Sequence, residues 1–412
     1  MSEHPIQATL GADVSPETVL QLAPNVRTRF DAAGHVLVDA PDGTIVDIGP
    51  RGYEILELFS RPVALGEAID RLEDGRSATD FAPSLSVINM LIEESALVRP
   101  EGRGRMTSGW ADPVEHARML HDDRRTGDFI AALAQAVRPG DVVLDIGTGS
   151  GVLAIAAARA GARRVYAVEA SDIAETAERV FAANGMEHQI TLVAGWSRQI
   201  DLPEPADLLV SEIIGNEPFE EELLETTLDA RRRLLKPDAR MIPNTLTLFA
   251  RPLLLPESEA RQRAFGRAAV ERWRELYGFD FGPLLGAAAL RPVNSPTEAE
   301  VVSSWPPVGP PVELLEVGLG TFHTATVRGT AVLLLDAPGT VNAVAITFRA
   351  ELDGAIGHTL DPWTWPSSSW ATSVWVLPDP LNVGPGAALR VRYARRVRGT
   401  PDGLTCEVVE PR

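Results

Sequence analysis

Two stretches of this chain carry residue types at spacings that could do chemistry. The first is Asp145-Ile-Gly147-Thr-Gly149-Ser-Gly151, where the apolar run VVLDIG (142–147) gives way to a helix-forming segment. Glycines at every second position let the backbone approach a ligand and accept dihedrals that other residues avoid. Glu169 closes the next apolar run, VYAVEA (165–170), at the separation where an acid can bind a ribose hydroxyl pair. A nicotinamide dinucleotide would use similar parts, but its fingerprint needs a glycine where Val152 stands. An acid opening the loop better suits the ammonium of an amino-acid-bearing methyl donor. A tight structural turn holding no ligand is the plainer alternative.

The second stretch is Ser211-Glu212-Ile-Ile-Gly215-Asn-Glu217-Pro-Phe219-Glu220-Glu221, following the apolar run DLLVSE (207–212). Gly215 and Pro218 suit a loop that folds back and brings Glu212 and Glu221 together. Paired carboxylates in a partly desolvated pocket clamp a planar guanidinium or another cationic nitrogen. They could also aim a nitrogen lone pair at a methyl carbon, since alignment supplies much of the barrier reduction in a displacement. Glu220, Glu222 and Glu225 read instead as the solvated acidic start of a helix.

These loops need a scaffold, and the patterning supplies one. From Pro113 helices alternate with apolar strands, the signature of a parallel sheet covered on both faces. After Pro243 the texture is strand-rich, as in LTLFARPLL (246–254), VNAVAITFRAEL (341–352) and LRVRYARRV (389–397), with a helical stretch around 258–276. Ahead of these, three strand-like runs (26–30, 35–39, 44–48) and three helical periodicities form a small α+β unit. The expected divisions are a tail (1–23), this unit (24–100), a linker (101–111), the parallel-sheet domain (112–243) and an antiparallel domain (244–412). The 412 residues are 45% hydrophobic and 23% charged, enough for several cores. A net charge of -19 disfavours nucleic acid. No apolar run approaches the roughly 20 residues of a membrane span. The one cysteine, Cys406, allows neither an internal disulfide nor a cysteine-rich metal site, and no basic, apolar signal opens the chain, so a reducing cytoplasm is expected.

Taken together, Asp145–Gly151, Gly161-Ala-Arg-Arg-Val-Tyr-Ala-Val-Glu169 and Ser211-Glu212 to Glu221 resemble the protein arginine methyltransferases, whose double-E loop has this separation. His116-Ala-Arg-Met119-Leu-His-Asp122-Asp-Arg-Arg125-Thr126 is similar to that family's pre-core helix, and Tyr277-Gly-Phe-Asp280 to the start of its dimerisation arm (near 272–300). The resemblance, over about residues 110–400, implies a Rossmann-like class I methyltransferase sheet followed by an antiparallel β-barrel, with S-adenosyl-L-methionine as cofactor, no metal, and a homodimer. It implies cofactor binding by His116, Met119, Arg125 (the donor carboxylate), Asp145, Gly147, Gly149, Gly151, Glu169 (the ribose), Ala170 and Ser197. Catalytic roles fall to Glu212, Glu221 and Asp122, and substrate contacts to Trp110, Ser369 and Trp370. The departures lie elsewhere. Only Trp110 stands in for the family's aromatic motif before the core. Ser368-Ser369-Trp370 replaces its Thr-His-Trp loop, and Arg198 replaces an acid near the adenine. The acceptor atom therefore stays open among guanidine, α-amine, imidazole and carboxylate. Trp363, Trp365 and Trp370 either wall the acceptor pocket or fill the barrel end.

Residues 24–100 resemble the PqqD-like peptide-binding domains, or RiPP recognition elements, in their strand and helix order and in Gly-Pro-Arg-Gly-Tyr (49–53). That implies a leader peptide added as a strand along 44–48, with the helix near 80–94 as the other wall. A winged-helix-like structural or dimerisation module is the alternative. The combined expectation is an N-methyltransferase that tailors a ribosomally made peptide held by its leader. Its rivals are an arginine methyltransferase acting on proteins in general, and a catalytically impaired peptide-binding scaffold.

Overall fold

The computed structural model describes residues 18–23, 26–31, 34–39, 44–50, 52–60, 63–73, 78–94, 96–98, 110–287, 291–367, 369–395 and 401–410. Most of the expected tail and linker, and Ser368, lie outside them. The chain divides into two compact bodies. One comprises Met1–Pro113, Glu169–Thr176 and Val193–Gln199, the other Val114–Val168, Ala177–Leu192 and Ile200–Arg412.

The first body opens with β1 (Val19–Leu22), β2 (Arg27–Phe30), β3 (Val36–Asp39), β4 (Ile45–Asp47), α1 (Gly52–Leu58), β5 (Val63–Ala64), α2 (Leu65–Glu73), α3 (Ala78–Glu93) and β6 (Leu97–Val98). The expected tail therefore stops short of residue 23. Val19–Leu22 pairs antiparallel with β5 and β6, and Leu20 enters the core. A strand of four residues ending just before Pro24 shows too little alternation to read in advance. β2, β3 and β4 form a separate antiparallel sheet, leaving β2 and β4 as its edges. Ile55 and Leu56 of α1 and Phe59 just beyond it are buried, while Tyr53 is 57% exposed. Leu65, Ile69, Ile88 and Leu91 complete the core, which excludes water and supplies the main stabilising term.

Next along the chain come α4 (Pro113–His121) and α5 (Asp123–Ala136). Then come β7 (Val142–Ile146), α6 (Val152–Arg159), β8 (Arg164–Glu169), α7 (Ala174–Ala183), β9 (Ile190–Ala194), β10 (Ala206–Val210), α8 (Leu223–Arg233) and β11 (Leu235–Ile242). The sheet order is β11-β10-β7-β8-β9, and the pairs on either side of β7 are parallel. All five residues of β7 are buried, as expected of a strand covered on both faces. The fifth strand, β11, was hidden by its polar Lys-Pro-Asp centre. Strand order reverses between β7 and β10, so the loops leaving their C-terminal ends flank the place where open α/β sheets bind ligands.

The remainder comprises β12 (Thr245–Leu253), α9 (Glu257–Arg263), α10 (Arg267–Tyr277), α11 (Pro283–Ala287), β13 (Val293–Glu298), α12 (Ala299–Ser303), β14 (Val312–Gly318), β15 (Val327–Leu333), β16 (Gly339–Asp353), β17 (Ile356–Leu360), β18 (Ala371–Val383), β19 (Ala388–Arg395) and β20 (Pro401–Val409). The antiparallel domain consists of two sheets. One runs β13-β18-β16-β12-β14 with β17 on β16, the other β15-β19-β20. β16 is the organising strand: eight consecutive residues from Val341 to Phe348 are buried. No helix among the described residues is long and apolar enough to cross a membrane.

Candidate active site

The expected pre-core helix is two helices, α4 and α5, broken at Asp122. Asp122 leaves α4 and caps α5, its Oδ1 accepting from the Arg125 N–H at 3.1 Å. Such a cap satisfies an N–H that the helix cannot. Its other oxygen, Oδ2, accepts from the hydroxyls of Ser367 at 2.6 Å and Ser369 at 3.0 Å. Burial pushes the Asp122 carboxyl up, but bonds from Ser367, the Arg125 N–H and Ser369 hold it below the usual range. Asp122 is thus an ionised clasp between α5 and the 367–370 loop.

The glycine loop takes the form expected. Gly147, Gly149 and Gly151 all have positive φ (75°, 54° and 88°). A Cβ on Gly149 would lie 2.8 Å from His116 Cε1, one on Gly147 2.6 Å from Ile213, and one on Gly151 2.3 Å from Phe181. Conformation and space both demand glycine there. Asp145 is fully buried at the end of β7, its Oδ2 accepting from the Thr148 hydroxyl at 2.7 Å. His116 and Met119 stand over the same region; Met119 Sδ lies 3.6 Å from an Arg125 nitrogen.

Arg125 meets the acid loop. Its guanidinium pairs with Glu212, with only 12% and 8% of the two side chains exposed, and its centre lies 5.0 Å from the Trp370 ring centroid. Burial lowers the Arg125 pKa to about 10 against the pull of Asp122 and Glu221. Glu221 is pushed up to about 7 by burial and by Glu220, with Arg125 pulling back. Both glutamates therefore act on one planar cation. The loop is docked to the antiparallel domain at two points. Trp370 Nε1 donates to the Ile214 carbonyl at 2.7 Å, and the Ala371 N–H donates to Asn216 Oδ1 at 2.8 Å. Trp370 faces the site, whereas Trp363 stacks on Arg251, donates to the Trp305 carbonyl and packs on the barrel-end core. Trp365 lies under Arg124.

Sequence reasoning missed the loop's anchor. Glu217 is 2% exposed and accepts the Tyr393 hydroxyl, while the Phe219 N–H donates to its other oxygen at 3.3 Å. Arg395, 1% exposed, lies over Phe219 and pairs with Glu225 at 3.4 Å. Glu225, its side chain 12% exposed, is therefore partnered and not part of a solvated face; Glu220 is exposed as expected. Tyr393 and Arg395 lie on β19, far along the chain, so no local signal linked them to the loop.

In the first body, Glu169 is buried, and its Oε1 accepts from the Ser171 N–H at 2.8 Å. Ser171 Oγ donates to the Trp110 carbonyl at 3.2 Å, so the backbone of Trp110 adjoins the turn after Glu169. Ala170 is half-buried, and Ser197 is buried in a short 3-10 helix (Ser197–Gln199).

A glycine loop headed by a buried acid, at the ligand-binding edge of an open parallel sheet, is the layout of the class I methyltransferases. Comparison with known proteins agrees. A model of the ribosomal protein L11 methyltransferase (PrmA) family matches residues 125–242. An "Arginine N(omega)-methyltransferase" of Streptomyces achromogenes subsp. streptozoticus is 35% identical over 296 residues, 68% of this chain and 76% of the relative. The chain belongs to the arginine methyltransferase family. A "Probable protein arginine N-methyltransferase 6" of Arabidopsis thaliana is 30% identical over 245 residues, 58% of this chain. The chain spans about half the length of several of these relatives, 54% for that one and 53% for a rice "Probable histone-arginine methyltransferase CARM1". The fold is shared with the Trypanosoma brucei PRMT1 enzyme-prozyme complex with AdoHcy (TM-score 0.61, 24% identity, 73% of this chain and 99% of that one).

Proposed function

We propose that this chain transfers the methyl group of S-adenosylmethionine to a guanidino nitrogen of arginine in a peptide. The observation that supports the reading is the acid loop, where Glu212 pairs with, and Glu221 acts on, the guanidinium of the chain's own Arg125 against Trp370, so the two acids are placed to act on a planar cation. The residues fit the donor: Asp145 is a buried acid at the loop, and the three glycines leave no room for a Cβ. In this reading Asp145 and the glycine loop line the methionine portion and Arg125 holds its carboxylate. Glu169 would take the ribose hydroxyls, and Ala170 and Ser197 would contact the adenine. The donor supplies an electrophilic methyl carbon on a sulfonium. Glu212 orients the acceptor guanidinium, and the low-dielectric surroundings strengthen that grip. The nitrogen that gains a methyl must lose a proton, and Glu221, with its pKa near 7, is suited to hold it.

Residues 24–100 serve as the leader-binding domain of a peptide-tailoring enzyme, acting in the cytoplasm. In support, β4 is an edge strand and its Ile45 is 56% exposed, as a site for strand addition needs. Tethering by the leader raises the local concentration of a weakly held core segment. A second copy docks on the arm, where Leu276, Tyr277 and Phe279 of the α10 end are each more than half exposed. Mass spectrometry of an arginine-containing precursor incubated with enzyme and donor tests the reading. Methyl on arginine, faster with the leader than without, is expected. Equal rates with and without leader would favour general protein substrates, and methyl on another side chain would overturn the guanidine assignment.

A further inference from the structure

We infer that His358 is a positioning residue that ties the two walls of the acceptor site together, a role that rests on the methyl-transfer reading above. His358 lies on β17 with none of its side chain exposed. Nδ1 is 2.9 Å from Asp128 Oδ2. Asp128 belongs to α5, the helix whose first turn carries Asp122 at its cap and Arg125. On its other side the imidazole is tilted 42° against the Trp370 ring at 5.4 Å. Trp370 in turn faces Arg125 and donates to the Ile214 carbonyl of the acid loop. One buried ring therefore joins α5 to the tryptophan that backs the guanidinium.

A purely structural role would be filled better by a hydrocarbon. Burying an imidazole costs free energy unless both nitrogens are satisfied, and His358 Nε2 meets no hydrogen-bonding partner among the described residues. What the imidazole adds, and an aliphatic side chain could not, is the directed bond to Asp128. The charged groups acting on it are Asp128, Asp122 and Arg124, all from the α5 side. Burial lowers its pKa despite Asp128, so the ring is neutral near pH 7, with Nδ1–H donating to Asp128. A neutral ring leaves the Asp122 charge to the hydroxyls of Ser367 and Ser369. The helix start and the 367–370 loop are thus fixed to each other at two places, Asp122 with the serines and Asp128 with His358.

The test compares three variants of the full chain. His358→Phe keeps a ring against Trp370 but loses the bond; Asp128→Ala removes it from the half-exposed helix side, where folding is less at risk; His358→Gln can still donate to Asp128. The first two should lower kcat on an arginine peptide about tenfold, with donor Kd within about twofold, while His358→Gln stays within about threefold of the parent. Activity within twofold of the parent in both His358→Phe and Asp128→Ala overturns the assignment, as does equal loss in His358→Gln. Hydrogen exchange separates this from failure of the methyl-transfer reading. In Asp128→Ala, amides of 212–217 and 369–371 should exchange faster whether or not the parent turns over. Unchanged exchange there sinks the positioning role, and a parent that transfers no methyl sinks only the reaction.

Discussion

Tyr393→Phe removes one oxygen from the anchor of the acid loop and leaves the shape of the core intact. The lost bond runs from a side chain 1% exposed to a carboxylate 2% exposed, so water cannot replace it. Glu217 would retain only the Phe219 N–H, at a long 3.3 Å, and the field of Arg395. Deleting the donor to a buried charged acceptor costs about 1.5–3 kcal/mol. About 2 kcal/mol corresponds to roughly 30-fold in the population of the seated loop. The loss has a pH signature. Burial already raises the Glu217 pKa, and removing the tyrosine raises it further. A carboxyl whose folded pKa lies above its unfolded value destabilises the fold increasingly as pH rises between the two, and not below the unfolded pKa. The penalty should therefore be largest at alkaline pH and shrink as pH falls and Glu217 takes up a proton instead. Steady-state kcat/KM of parent and variant as a function of pH is the assay, since the ratio cancels titrations common to both. A ratio near one at every pH would refute the claim that Tyr393 holds the loop.

Other outcomes follow from the same geometry. Because Glu221 must be ionised to take a proton, kcat/KM should fall through an acid limb near pH 7, and Glu220→Gln should move that limb down by about half a unit. An unmoved limb would detach Glu221 from it. Arg125→Lys keeps the charge but loses the planar face on Trp370 and the fork toward Glu212, so calorimetry should show donor affinity weakened at least about tenfold. Ile45→Glu on the edge strand should weaken leader-peptide binding about tenfold without changing donor affinity, by removing apolar burial in that groove. Undiminished peptide affinity would detach β4 from leader docking.

The glycine loop was legible in the sequence because its determinants are local. Asp145, Gly147, Gly149 and Gly151 lie within seven residues of one another, and the positive φ of each glycine leaves a mark that composition shows. Glu212 and Glu221 were legible for the same reason. The anchors were not. Tyr393 reaches Glu217, His358 reaches Asp128 and Ser367 reaches Asp122 across separations of 176, 230 and 245 residues, and each looked like an ordinary strand or loop residue. Glu225 was misread because an acid at a helix start is favourable in water, which hides the buried arginine opposite. β1 and β11 escaped notice because one is very short and the other has a polar centre.

The most direct measurement incubates the full chain with isotopically labelled S-adenosylmethionine and an arginine-containing peptide, then locates the label by tandem mass spectrometry, in parent and in Glu212→Gln. Labelled methyl on the guanidino group is expected with the parent and essentially none with the variant. Label on no arginine with the parent, or undiminished labelling with the variant, would contradict the proposed reaction.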